Sequence, residues 1–147
     1  MKAKQAPPVK YVLMCEDIRE EKNNKAILIG VYSSRIVFHR PLPAVLPKLC
    51  FRICFNVSKP FAETVNLKIR KPDKTEMGPF PTSLTKNEEG TGELLLNLAL
   101  SPFIFEKEGA YDLIVENAGQ ENAAFRFHVV LAPGVAATSA SNAAITG

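Results

Sequence analysis

The chain contains no tryptophan, two histidines and three cysteines among 147 residues. Metal centres built on imidazole want two or three converging ligands. His39 and His128 stand far apart, with no ligand-like spacing to any cysteine. Three cysteines cannot close into internal bridges alone, and Cys15, Cys50 and Cys54 match neither a zinc ribbon nor a CxxC redox pair. Cys50 and Cys54 lie in one period-two segment, about 13 Å apart at strand rise, whereas bridged Cα atoms lie about 4.4–6.8 Å apart. Free buried thiols in a reducing cytoplasm are therefore expected. No run approaches the roughly 20 apolar residues of a membrane-spanning helix. The stretch Tyr11 to Cys15 is too short for a secretory signal, so a cytoplasmic chain without a membrane partner is expected. Nor does one sign of charge dominate: 18 Lys+Arg against 15 Asp+Glu leave +3. That is too little to announce the concentrated basic face of a nucleic-acid binder.

Catalytic signatures are missing as well. The sequence has no Gly-x-Ser-x-Gly elbow, phosphate-binding Gly-x-x-x-x-Gly-Lys loop, His-Glu-x-x-His helix or dinucleotide fingerprint. A nucleophile needs an adjacent base and an oxyanion donor, and the three cysteines fall within strand-like segments. The densest acidic stretch, Glu16, Asp17, Glu20 and Glu21, is interrupted by Arg19 and Lys22 and lacks an Asp-x-Asp-x-Asp-Gly calcium loop. It reads as a solvated, self-compensating segment, with one helical turn possible after Asp17 as cap. No enzyme activity, cofactor or metal is expected.

What is abundant is alternation of period two. Leu49, Phe51, Ile53, Phe55 and Val57 alternate with Lys48, Cys50, Arg52, Cys54 and Asn56, which describes a long strand with one buried face. Val65, Leu67 and Ile69 repeat the pattern, as do Leu94 to Leu100, Tyr111 to Val115, and Phe125 to Leu131. Val9–Glu16, Ala26–Tyr32 and the short Arg35–Phe38 read as further strands. Asn117 to Glu121 supplies a Gly-containing hairpin connection. The eleven prolines act as punctuation: Pro41, Pro43 and Pro47 in a connector, and Pro72, Pro79 and Pro81 in a long irregular segment from Lys71 to Gly92. The expected fold is all-β, a single immunoglobulin-like antiparallel β-sandwich of about eight strands. It spans residues 9–132, between a flexible segment 1–8 and a disordered tail 133–147.

Two resemblances accompany this reading. Glu108-Gly109-Ala110-Tyr111-Asp112-Leu113-Ile114-Val115 resembles the entry to the penultimate strand of immunoglobulin-like domains. Leu113 stands there in place of the family's cysteine. The resemblance implies that the Tyr111 hydroxyl ties back to an upstream backbone group. Leu13-Met14-Cys15-Glu16-Asp17-Ile18-Arg19-Glu20-Glu21, followed by Leu28-Ile29-Gly30-Val31-Tyr32, resembles the opening of a family of small bacterial proteins of unknown function. That likeness spans most of Tyr11 to Leu131 and implies no activity.

Two surfaces follow from the strand phases. Val12, Met14, Cys50, Cys54, Leu95, Ala99, Ile114, Ala124 and Val130 occupy positions out of phase with the core set, where a strand with one wet face should be polar. Coverage by the 71–92 segment, with Met77, Phe80 and Leu84 as a lid, or a β-bulge would explain them. So would a protein partner or self-association, for which the candidate surface is Val12, Met14, Met77, Phe80, Leu95, Ile114 and Val130. The alternative is a basic face of Lys48, Arg52, Lys68, Arg70 and Arg126, which would hold single-stranded nucleic acid or another polyanion if their strands were neighbours.

Overall fold

The computed structural model describes residues 6–23, 25–57, 64–84 and 92–135, and the 136–147 part of the expected tail lies outside them, as do residues 1–5. The chain is all-β, with eleven described strands in three sheets. In order they are β1 (Val9–Glu20), β2 (Ala26–Tyr32), β3 (Arg35–Phe38), β4 (Ala44–Leu46), β5 (Leu49–Asn56) and β6 (Thr64–Arg70). Then follow β7 (Glu76–Ser83), β8 (Glu93–Leu100), β9 (Phe103–Phe105), β10 (Gly109–Asn117) and β11 (Gln120–Leu131). The first sheet has the order β2-β1-β5-β8, the second β3-β11-β10-β6-β7, and β4 pairs with β9 in a small third.

This corrects the expected outline in five places. The described residues form eleven strands where about eight were expected, and the pairing is not wholly antiparallel, because β3 runs parallel to β11. The helical turn after Asp17 is absent: β1 continues in register with β2 as far as Glu20↔Ala26. In the segment expected to be irregular from Lys71 to Gly92, of which 85–91 lie outside the described residues, Glu76–Ser83 forms β7 against β6. Its Pro79 and Pro81 lack amide donors and are tolerated because β7 is an edge strand. Of the segment expected to be flexible, Ala6 packs on the core and the Pro8 carbonyl accepts from the Asn56 amide at 2.8 Å.

One shared core joins the sheets, and with no tryptophan available it is filled by phenylalanine and aliphatic residues. Phe51 of the first sheet meets Phe127 of the second at 5.8 Å between ring centroids. Phe105 of the small sheet lies 5.3 Å from Tyr111 and 4.4 Å from Phe103. The β10–β11 hairpin turns at Ala118-Gly119, both at positive φ (51° and 79°), which matches the right-handed twist of the strands it joins. Within that hairpin the register shifts after Leu113↔Phe125 to Ile114↔Ala123. Ala124 is thus the extra residue of a bulge, which accounts for its position out of phase.

The Tyr111 hydroxyl donates to the Lys107 carbonyl at 2.6 Å, the tie implied by the Gly-x-Tyr resemblance. The ring is buried, and burial pushes its hydroxyl up to about 12. Tyr111→Phe keeps the stack on Phe127 but strands that carbonyl, so urea unfolding should show a loss of about 1 kcal/mol. An unchanged midpoint would assign the bond no net role.

Candidate functional site

Register places the side chains of the first sheet without ambiguity. Val12, Ile53 and Leu96 form one rung, and Met14, Phe51 and Leu98 another. Both rungs face the core. The intervening rungs point the other way: Tyr11–Cys54–Leu95, Leu13–Arg52–Asn97, and Val31–Cys15–Cys50–Ala99. Val12 and Met14 are therefore core residues and drop out of the expected outward set. The reason is phase. Tyr11 to Cys15 is apolar throughout, so alternation alone cannot say which half faces inward, whereas pairing with β5 does.

The outward face of this sheet is apolar. Tyr11, Leu13, Ile27, Ile29, Val31 and Leu95 are each between 37% and 54% exposed, and they are six of the nine large exposed hydrophobics among the described residues. Their concentration on one sheet separates this face from the scattered apolar exposure found on any protein. The other three, Val37, Val45 and Ile104, lie on β3, β4 and β9.

The β1–β2 hairpin shapes this face. β5 ends its pairing with β1 at Cys15↔Cys50, and the hairpin runs on alone. Glu20 lies seven positions beyond Leu13, the β1 residue in the rung of Asn97, which is roughly 23 Å along a straight strand. Yet the Asn97 amide donates to Glu20 Oε1 at 3.0 Å. The hairpin must curl back over the outward side. Gly30, at φ 64°, lets Glu16 lie across the strand there: a Cβ at Gly30 would come within 2.7 Å of the Glu16 side chain.

Arg52 donates to Asn97 Oδ1 at 3.2 Å, so Arg52, Asn97 and Glu20 form a charge-balanced chain within the apolar surround. Lys48 pairs with Asp17 at 3.0 Å and holds that carboxyl below its ordinary range. The three cysteines are free and buried, and desolvation pushes each thiol up, so at neutral pH they are protonated.

Elsewhere the expected residues scatter. Met77 and Phe80 are partly buried on β7 and pack against the core rather than forming a lid over the first sheet. Val130 lies half-buried on β11 beside Val37. Ile114 points away from the core yet is buried, with Lys68 and Ala123 as its cross-strand neighbours. Lys68 is its cross-strand neighbour on that side, where a lysine stem lies over apolar neighbours, so Ile114 points outward but offers no exposed surface.

The five cations do not share a face. Lys48 precedes β5 in the connector and Arg52 lies on the first sheet, whereas Lys68, Arg70 and Arg126 lie on the second. Arg126 pairs with Asp112 at 2.8 Å, and Arg70 with Glu76 at 2.6 Å and Glu121 at 2.9 Å. Lys68 pairs with Glu76, Glu116 and Glu121. For all but Arg52, which donates to Asn97, carboxylates already take the positions that phosphates would need. Among the described residues no group of three or more His, Cys, Asp or Glu converges as a metal site.

Sequence reasoning missed Tyr11, Leu13, Ile27, Ile29 and Val31. The signal was present in Ala26-Ile-Leu-Ile-Gly-Val-Tyr32, an apolar run too hydrophobic on both faces for a strand with one wet side.

The class defined here is an all-β protein of three sheets, the first with an apolar outward face over buried thiols. The model of a family of unknown function, DUF6941, matches residues 10–130, and the chain belongs to that family. No curated protein matches it.

Proposed function

We propose that the chain is a non-enzymatic binding or assembly module that acts through protein–protein contacts, using the outward face of the first sheet. The carrying observation is the run of exposed Tyr11, Leu13, Ile27, Ile29, Val31 and Leu95 on one sheet. Water-exposed apolar area of this kind is stabilised by burial against another polypeptide. An immunoglobulin-like arrangement of the two larger sheets belongs to the same reading, supported by the Tyr111–Lys107 tie and the Phe51–Phe127 contact. So does residence in the cytoplasm. Leu95 is retained from the sequence-derived surface, while Met77, Phe80 and Val130 lie on the second sheet. The rival reading, a nucleic-acid surface, is disfavoured by the carboxylate partners of Lys48, Lys68, Arg70 and Arg126.

The test is a pair of surface charges. Leu13→Lys with Val31→Lys should leave the circular dichroism spectrum unchanged, because both side chains already reach solvent. In sedimentation across concentration, alone and in cell extract, wild-type chain should move in a larger species. The variant should associate at least about tenfold more weakly. Wild-type chain that stays monomeric in both settings, or a variant that associates equally well, would refute the proposal.

A further inference from the structure

We propose that Cys15 and Cys50 form a reversible oxidation site, closing to a disulfide under a peroxide. The two residues are direct cross-strand partners in the antiparallel β1–β5 ladder. Such partners hold their Cα atoms about 4.5–5.5 Å apart, inside the window of about 4.4–6.8 Å that a disulfide requires. Both thiols also point at the same short stretch of backbone. Cys15 Sγ lies 3.4 Å from the Asp17 carbonyl oxygen and Cys50 Sγ 4.0 Å from that of Glu16. Cys54, four residues along the same strand and on the same face, faces Tyr11 instead and has no thiol opposite.

The chemistry balances with the peroxide as two-electron oxidant. One thiolate attacks a peroxide oxygen and becomes a sulfenic acid, releasing water once the leaving oxygen is protonated. The facing thiol then displaces the sulfenic oxygen as a second water, and the S–S bond forms. Burial keeps both thiols protonated at neutral pH, so the resting form is the dithiol and oxidation quickens as pH rises. The pair sits on the last rung before the β1–β2 hairpin leaves β5. Opening of that hairpin admits the oxidant, and the bond then pins the hairpin's root beneath the apolar face.

Full-length chain treated with hydrogen peroxide, then unfolded, alkylated and mapped by mass spectrometry, tests this directly. The expected product is a monomer about 2 Da lighter with alkylation confined to Cys54. Dithiothreitol should restore three alkylatable thiols, and the oxidised form should melt roughly 5–10 °C higher. Cys54→Ser should still close the bond, and Cys50→Ser should not. Three free thiols after peroxide, a bond that includes Cys54, a bond between two chains, or sulfinic acid at Cys15 or Cys50 without a bridge would each overturn the assignment. The mapping of wild-type chain stands even if a cysteine variant fails to fold.

Discussion

Phe105→Ala should lower the stability of the chain by about 3–5 kcal/mol. Phe105 lies on β9, a strand of three residues, yet its ring is wholly buried at the meeting point of the sheets. It contacts Phe38 at 5.5 Å, Phe103 at 4.4 Å, Tyr111 at 5.3 Å and Phe127 at 6.5 Å between centroids. Removing it leaves a cavity bounded by four rings anchored on four different strands. Such a wall cannot collapse inward without moving backbone, so the cavity cost adds to the lost transfer energy. Phe105→Leu refills most of the space and should cost less. Urea unfolding checks both: the midpoint should fall with an unchanged slope. A loss under about 1 kcal/mol for Phe105→Ala would mean that this ring is dispensable to the core.

That β9 escaped the sequence reading has a physical cause. Alternation becomes legible when a strand is long enough to repeat and when one face is wet. β5, β8 and the β10–β11 hairpin meet the first. Although Cys50, Cys54 and Ile114 are buried on the outward side, polar Arg52, Asn97, Asp112 and Arg126 mark that side, so the core residues of these strands were read correctly from phase alone. β4 and β9 have three residues each and are flanked by Pro43, Pro47 and Pro102, so no period can develop. β7 carries Gly78, Pro79 and Pro81, residues that demote a run unless it lies at an edge, and edge position is a tertiary fact.

The site follows the same logic. That apolar residues stand on outward positions was legible, and Cys50, Cys54, Leu95 and Ala99 do share the outward face of one sheet. Which half of Tyr11–Cys15 joins them was not legible, because no polar residue marks the wet side. The basic face failed for a different reason. Strand phase tells which side of its own sheet a lysine occupies, but not which strands are neighbours. The order β3-β11-β10-β6-β7 sets Lys68 and Arg70 beside Glu76, Glu116 and Glu121 rather than beside Arg52.

That acidic surround sets the expectation for Lys68→Met. The variant keeps an unbranched stem over Ile114 and removes the charge. Glu76 and Glu121 then retain Arg70 while Glu116 loses its Lys68 pair, and the melting temperature at pH 7 should fall by several °C, on the order of 5 °C. The pH dependence separates charge from packing. Arg70, with Lys68, holds the Glu76 carboxyl below its ordinary range, and Lys68, with Arg70, does the same for Glu121. Carboxylates lowered on folding stabilise the native chain in full above their unfolded value of about 4.3. That contribution disappears as pH falls through the lowered native values. The gap between wild type and Lys68→Met should therefore be full at pH 7 and narrow steadily below about pH 4. Asp73 falls outside this comparison: the Thr75 hydroxyl and amide hold it down to about 2, and neither group is altered by the substitution at Lys68. Lys68→Ala, which also uncovers Ile114, should keep a residual deficit at low pH. A gap for Lys68→Met that is equally wide at pH 7 and pH 3 would assign its effect to the stem, and the network would be a surface decoration rather than the roof of the second sheet.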